Sequence, residues 1–230
     1  MTFRLPPSDF TRNTSLSGIV STMTMTIAEP SQHTNSITVV GTQFCALHPV
    51  DLIILRNVKS QEGGNLVVTD VNGNIVFKVK GTLLSLRDRH LLLDTNGDPL
   101  LSLQHKILSP HRRWQVFRGD SSDSKDLLFS VKKSSWIQSK SELDVFLAAN
   151  TKEEVCDFKI KGSWVERSCI IYIGDSYNII AQIHKEHSVQ RKDFGKGSFT
   201  VTIYPNVDNA FIAALIFILN EINYDSNSND

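Results

Sequence analysis

Cysteine is scarce and unpaired in this chain. Cys45, Cys156 and Cys169 are odd in number, widely spaced and form no Cys-x-x-Cys pair. That pattern gives no disulfide framework and points to a reducing, intracellular compartment. Charge of one sign is missing too. With 24 basic residues against 24 acidic ones, no bulk field draws the chain to nucleic acid. The first residues carry no apolar core of the kind a secretory signal needs. No apolar run approaches the roughly 20 residues of a spanning helix. A Walker loop is absent, since Gly195-Lys196-Gly197 is too short for one. A Gly-x-Ser-x-Gly nucleophile elbow is absent as well.

What the chain does have is one unbroken apolar decade. Residues 210–219 read Ala-Phe-Ile-Ala-Ala-Leu-Ile-Phe-Ile-Leu. Asp208 precedes them and suits a helix N-cap, whose side chain accepts a backbone N–H bond. Glu221, Asn223 and Asp225 end the apolar character. The pattern predicts a helix over 208–223, about four turns long. Such a helix has no polar face, so it must be buried on all sides. Phe211, Ile212, Leu215, Ile216, Ile218 and Leu219 are the expected core residues, joined by Phe217 and Ile222. Full burial of these side chains is worth roughly 12–24 kcal/mol gross. The rest of the chain has to wrap this helix.

From Ile37 onward the sequence is short apolar runs broken by turn residues. Residues 66–70 lead through Asn72-Gly73-Asn74 into 75–80, and 91–94 lead through Asn96-Gly97-Asp98 into 100–106. Asn-Gly between two β-rich runs is a strong hairpin signal, because both residues tolerate positive φ. A looser copy joins 170–173 to 179–185 through Gly174-Asp175-Ser176. Further runs are 52–56, 114–118, 127–132, 143–148, 156–161 and 199–204. In Phe77-Lys-Val-Lys80 and Phe158-Lys-Ile-Lys161 the alternation is apolar inward, lysine outward. Roughly a dozen such strands predict an all-β sandwich or barrel. A barrel of that size is too wide to fill with its own side chains, and the apolar helix supplies the missing core. The expected fold is therefore all-β with one buried helix: a roughly twelve-stranded antiparallel barrel enclosing a C-terminal α-helix.

Residues 1–36 read as a Ser/Thr-rich, disordered arm, weakly similar in composition to an organelle transit peptide. The sequon Asn13-Thr14-Ser15 has no secretory context to serve. The barrel domain is expected over 37–224, with a disordered tail over 225–230.

Several of these segments together carry a family resemblance. Pro49-Val50-Asp51-Leu52, the hairpin from Val67 to Asn74 with Phe77-Lys-Val-Lys-Gly81, and the ending from Val207 to Ile222 resemble the plant LURP-one-related family. The resemblance covers most of the chain. It implies a tubby-like fold, the same barrel around a hydrophobic helix that the residues alone suggest. It also implies a link to plant defence. The fold is shared with Tubby domains, which bind phosphoinositides, and with phospholipid scramblases. Lipid binding comes across only as fold-level analogy.

A phosphoinositide site needs clustered Lys and Arg facing phosphate oxygens. Four groups qualify: Lys78 with Lys80, Arg112 with Arg113, Lys132 with Lys133, and the loop carrying Lys185, Arg191, Lys192 and Lys196. The loop is the preferred lipid-phosphate site, because Gly195 and Gly197 let backbone amides approach an anion. The competing reading of each group is the solvated face of a strand. Other motifs carry less. His184 and His187 lie at a strand end, where i and i+3 point to opposite faces, and no third metal ligand is evident. Gly174-Asp175-Ser176 and Arg118-Gly119-Asp120 read as turns. Asp51, Asp88, Asp94 and Asp98 show no pairing for acid–base work. Cys45 and Cys169 read as small buried hydrophobes, and Trp114, Trp136 and Trp164 as core or rim residues. The expected class is a non-enzymatic binding module without cofactor or metal, a monomer that meets acidic phospholipid headgroups or protein partners but not nucleic acid. Its expected setting is cytoplasmic, with a pool at the membrane or in the nucleus; the alternative is a protein-interaction scaffold without lipid affinity.

Overall fold

The structure is a computed structural model that describes residues 36–56, 66–81, 89–106, 113–134, 141–185 and 198–227. They belong to the second of the chain's two units, Thr34–Asp230. The strands are β1 (Val50–Arg56), β2 (Leu66–Thr69), β3 (Ile75–Gly81) and β4 (Arg89–Leu93). Next come β5 (Pro99–Lys106), β6 (Arg113–Arg118), β7 (Leu127–Lys133) and β8 (Ser141–Leu147). The last four are β9 (Phe158–Ser163), β10 (Ser168–Ile173), β11 (Ile179–Lys185) and β12 (Phe199–Ile203), followed by helix α1 (Asn209–Asn227).

Each strand pairs antiparallel with its sequence neighbours, and β1 closes the barrel on β12. The tight Asn-Gly turns are where the sequence predicts them, with Gly73 at φ 86° and Gly97 at φ 91°. In each turn the leading aspartate accepts two backbone N–H bonds: Asp70 from Asn72 and Asn74, Asp94 from Asn96 and Asp98. These carboxylates are engaged in turn geometry, which is why they do not pair for catalysis.

Register sets the two faces. Opposed residues share a face, so the buried pairs Leu52 with Val201, Val79 with Leu92, Val116 with Phe129 and Val145 with Phe158 point inward. Lys78, Lys80, Lys159 and Lys161 take the alternate, outward positions, as the alternation requires. The core is completed by α1, in which residues 210–219 are all at most 1% exposed. Phe211 meets Phe129 and Phe158 at ring separations of 5.0 Å each. Phe217 meets His90 at 4.8 Å and Trp114 at 5.9 Å. A helix of this length is roughly 28 Å long, enough to run the height of seven-residue strands of roughly 23 Å.

Asp208 fixes one end of that helix. It is fully buried and its Oδ1 accepts the N–H groups of Ala210 (3.0 Å) and Phe211 (3.1 Å). Its Oδ2 accepts those of Val39, Val40 and Gly41 at 3.1, 2.7 and 3.0 Å. The segment before β1 is thereby tied across the mouth of the barrel. Ile37 bridges Val207, Cys45 bridges Asp208, and Arg118 donates to the Val40 carbonyl at 2.8 Å.

Three expectations need correction. The helix continues past Asn223 to Asn227, so the tail expected from 225 begins inside it. Strand β9 starts at Phe158 rather than Cys156. The cause is Asp157, whose Oδ2 accepts from the Leu147 N–H and the Asn150 amide and so closes a turn there. Cys45 is half-buried, not a core residue, because it lies in the segment crossing the mouth, with its thiol 3.8 Å from the Ile37 carbonyl. Cys169 is in the core, and burial raises its thiol to about 12. The arm expected over 1–36 lies outside the described residues up to residue 35.

Candidate functional site

An antiparallel meander sends alternate connections to opposite ends, and here the two ends differ in charge. The end that holds Asp208 and the helix N-terminus carries Asp51, Asp70, Asp94, Asp98, Asp157 and Asp175 in or beside its turns. At the opposite mouth Arg89, Lys106, Arg113, Lys133 and Lys185 stand at strand ends, with Glu142 and Glu166 at the same end. The helix dipole favours this sense, acids near the N-terminus and cations near the C-terminus. Its effect fades within a turn of the helix end, so it does not account for charges on the outer rim.

The cations at the basic mouth are not equivalent. Lys133 lies opposite Leu143, and Lys185 opposite Phe199, both core residues, so these lysines take inward positions at the rim. Lys106 lies directly opposite Arg113 on the outer face. Like charges so placed repel, and Glu153 offsets the repulsion. It takes Arg113 in a two-pronged pair at 2.6 Å to each oxygen and stands 3.8 Å from Lys132. Glu153 reaches there from the β8–β9 loop with φ 51°, its N–H held by Asn150 Oδ1 at 3.1 Å. Arg113, through its hydrogen bonds and its charge, holds the Glu153 carboxyl below its ordinary 4.5, against the opposing effect of burial. The partner shift is upward at Arg113. A depressed carboxyl stabilises the fold above the unfolded value, and the contribution is lost as pH falls through the folded one. Arg113→Met is therefore expected to cost about 1 kcal/mol near neutral pH. The gap to the native chain closes as pH drops below about 4.5, as urea titrations at the two pH values will read.

Beside this mouth the β9–β10 turn carries a further arrangement. The Arg167 guanidinium lies 4.0 Å over the Trp164 ring and 4.8 Å from that of Phe199. Val165 stands 85% exposed at the tip of the turn. On the outer wall Lys159 sits between Asp144 at 3.5 Å and Asp175 at 2.5 Å, and its ammonium is held charged chiefly by Asp175.

Against these positions the basic groups expected from sequence separate. Lys132 is engaged with Glu153 and lies 4.3 Å over the Phe146 ring. Arg113 is likewise paired. Lys78 and Lys80 are on the outer wall of β3. Lys185 is exposed at the basic mouth, whereas Arg191, Lys192 and Lys196 lie outside the described residues, as do Arg112, Asp88, Trp136 and His187. Lys106 was not singled out by sequence; its signal is its place at the strand end, legible once the meander is known. Among the described residues no His, Cys, Asp and Glu group of three is arranged for a metal. Gly174-Asp175-Ser176 is a turn, with the Ser176 hydroxyl donating to the Ile173 carbonyl at 2.6 Å. Among the described residues no helix is long and apolar enough to cross a membrane.

A closed twelve-stranded meander around a greasy C-terminal helix, with no catalytic constellation among the described residues, defines a class of barrel built around a single helix. The family model described as LURP-one-related matches residues 50–220, and the chain belongs to that family. It is 52% identical over 185 residues to Protein LURP-one-related 15 of Arabidopsis thaliana, covering 80% of this chain and 85% of that one. It is 47% identical over 184 residues to Protein LURP1 of the same organism, covering 80% and 89%. The X-ray structure of a protein from Arabidopsis thaliana superposes with a TM-score of 0.64 at 45% identity, covering 81% of this chain and 98% of that one.

Proposed function

We propose that this barrel is a non-enzymatic binding module that attaches peripherally to acidic phospholipids through its basic mouth, as a regulator in the plant-defence setting its family resemblance implies. The observation that supports the reading is that Lys106, Lys133 and Lys185 stand at the same end of the barrel, spread around its rim on β5, β7 and β11. Among the described residues none of the three is in an ion pair. Val165 is exposed at the same end, in the β9–β10 turn that also carries Glu166 and Arg167, and an exposed apolar tip suits an interfacial contact. Each lysine near an anionic leaflet contributes about 1 kcal/mol, so three together supply about 3 kcal/mol.

The test is co-sedimentation with phosphatidylcholine vesicles, with and without phosphoinositide, at low and high salt. Binding is expected only with the acidic lipid, and it weakens as the screening length shrinks. Replacing Lys106, Lys133 and Lys185 together with Gln is expected to weaken it about a hundredfold. Equal binding to neutral vesicles, or none to either, sinks the reading. Competition by a soluble inositol phosphate separates headgroup recognition from a general surface charge effect.

A further inference from the structure

The acidic end holds most of the large apolar side chains that the described residues leave in water. Tyr177 is 95% exposed, Leu47 85% and Val155 63%; Ile173, Ile179 and Tyr204 are exposed as well. They are not scattered. Backbone hydrogen bonds stitch their segments into one arc of the rim: Gly174 to the Asp157 carbonyl at 2.7 Å, Tyr204 to that of Ile180 at 3.0 Å, and Asn206 to that of Ala46 at 2.7 Å. The arc thus runs from the β8–β9 loop through the β10–β11 turn and the end of β12 to the segment before β1. Single exposed apolar residues need no explanation, but a contiguous group rimmed by polar residues marks an interaction surface. Tyrosine and aliphatic side chains are also what interface centres favour.

Acids outnumber cations around the arc, whose cations are the exposed Lys152 of the β8–β9 loop and Lys159, paired with Asp175. Glu154 and Asp175 are exposed within it, and Asp51 lies at its β1 border. An acidic rim repels acidic lipid, so this face is not a second membrane surface. The closed barrel offers no free strand edge, so a partner cannot add a strand. Docking therefore falls to side chains: apolar anchors on the Tyr177 and Tyr204 region and cations on Glu154 and Asp51.

We infer that this arc docks a cationic peptide segment of a partner protein, one that presents aromatic or aliphatic anchors between Lys or Arg residues. The site stands apart from the lipid reading and lies at the other end of the barrel. One chain then meets acidic lipid at one mouth and a basic protein segment at the other.

The experiment is selection of a displayed random-peptide library on the full chain, followed by anisotropy titration of the enriched peptides. Enriched peptides are expected to be net positive and to contain Trp, Phe or Leu. Tyr177→Ser combined with Tyr204→Ser, and separately Glu154→Lys, are each expected to weaken them at least tenfold, in variants that melt like the native chain. The Gln variant of Lys106, Lys133 and Lys185 is expected to bind them unchanged. That separates failure here from failure of the lipid reading. Enrichment of acidic or uncharged peptides, no enrichment, or binding indifferent to the rim variants overturns the inference. So does concentration-dependent self-association that Tyr177→Ser abolishes, because a second copy's basic mouth is then the occupant.

Discussion

Leu215→Asp is expected to leave no cooperatively folded protein. Leu215 sits midway along α1 and is fully buried. Removing its side chain alone costs about 2–5 kcal/mol, as Leu→Ala does in a close-packed core. Placing an unpaired carboxylate there adds several kcal/mol more. The net stability of a domain is about 5–15 kcal/mol, so the two together consume it. The neighbours along the helix are Ala214 and Ile216, both fully buried, and among the described residues no Lys or Arg is buried to answer the charge. Leu215→Ala is the control and should melt earlier but still cooperatively. Circular dichroism melts of both, with solubility on expression, decide the matter. A soluble Leu215→Asp chain melting like the native one would show that the helix is not the core.

Asp208→Ala is expected to cost about 3–5 kcal/mol, well above the roughly 1 kcal/mol of an ordinary N-cap. An ordinary cap satisfies one or two N–H groups at the helix start. Asp208 satisfies those of Ala210 and Phe211 and also those of Val39, Val40 and Gly41. Each donor stranded in a dry site costs about 1–3 kcal/mol, tempered where water reaches it. Asp208→Asn keeps one acceptor oxygen and should fall between. Urea unfolding gives the magnitude. Hydrogen exchange gives the location, with protection lost at residues 39–41 and 210–211 together. A loss near 1 kcal/mol confined to the helix end would mean that the crossing segment is held by something else.

The twelve strands and the helix were legible because each carries a local signal. The Asn-Gly turns, the Lys alternation in β3 and β9, and the apolar decade of α1 are all readable within ten residues. Asp208 was legible only by half. Its capping role is local, but its other partners lie 167–169 positions away in the chain. The pairing of Arg113 with Glu153, 40 positions apart, is equally invisible, since it depends on the β8–β9 loop folding back over β6 and β7. Sequence grouped basic residues by adjacency, as in Lys132 and Lys133. The barrel separates that very pair, because strand neighbours face opposite ways, and sends Lys106, Lys133 and Lys185 to one end of its rim instead. Polarity between the two ends is a property of topology, and a composition balanced at 24 against 24 conceals it.

The position of α1 bears on how such a chain is made. The helix around which every strand packs is the last element of the barrel to leave the ribosome. Until it does, the apolar inner faces of all twelve strands have nothing to close upon. At about 5–20 residues per second, the strands emerge over tens of seconds as unpaired, aggregation-prone ribbons. Closure then requires β1 to meet β12, and contacts so distant in sequence form slowly. The barrel therefore closes only once its last-made element is in place.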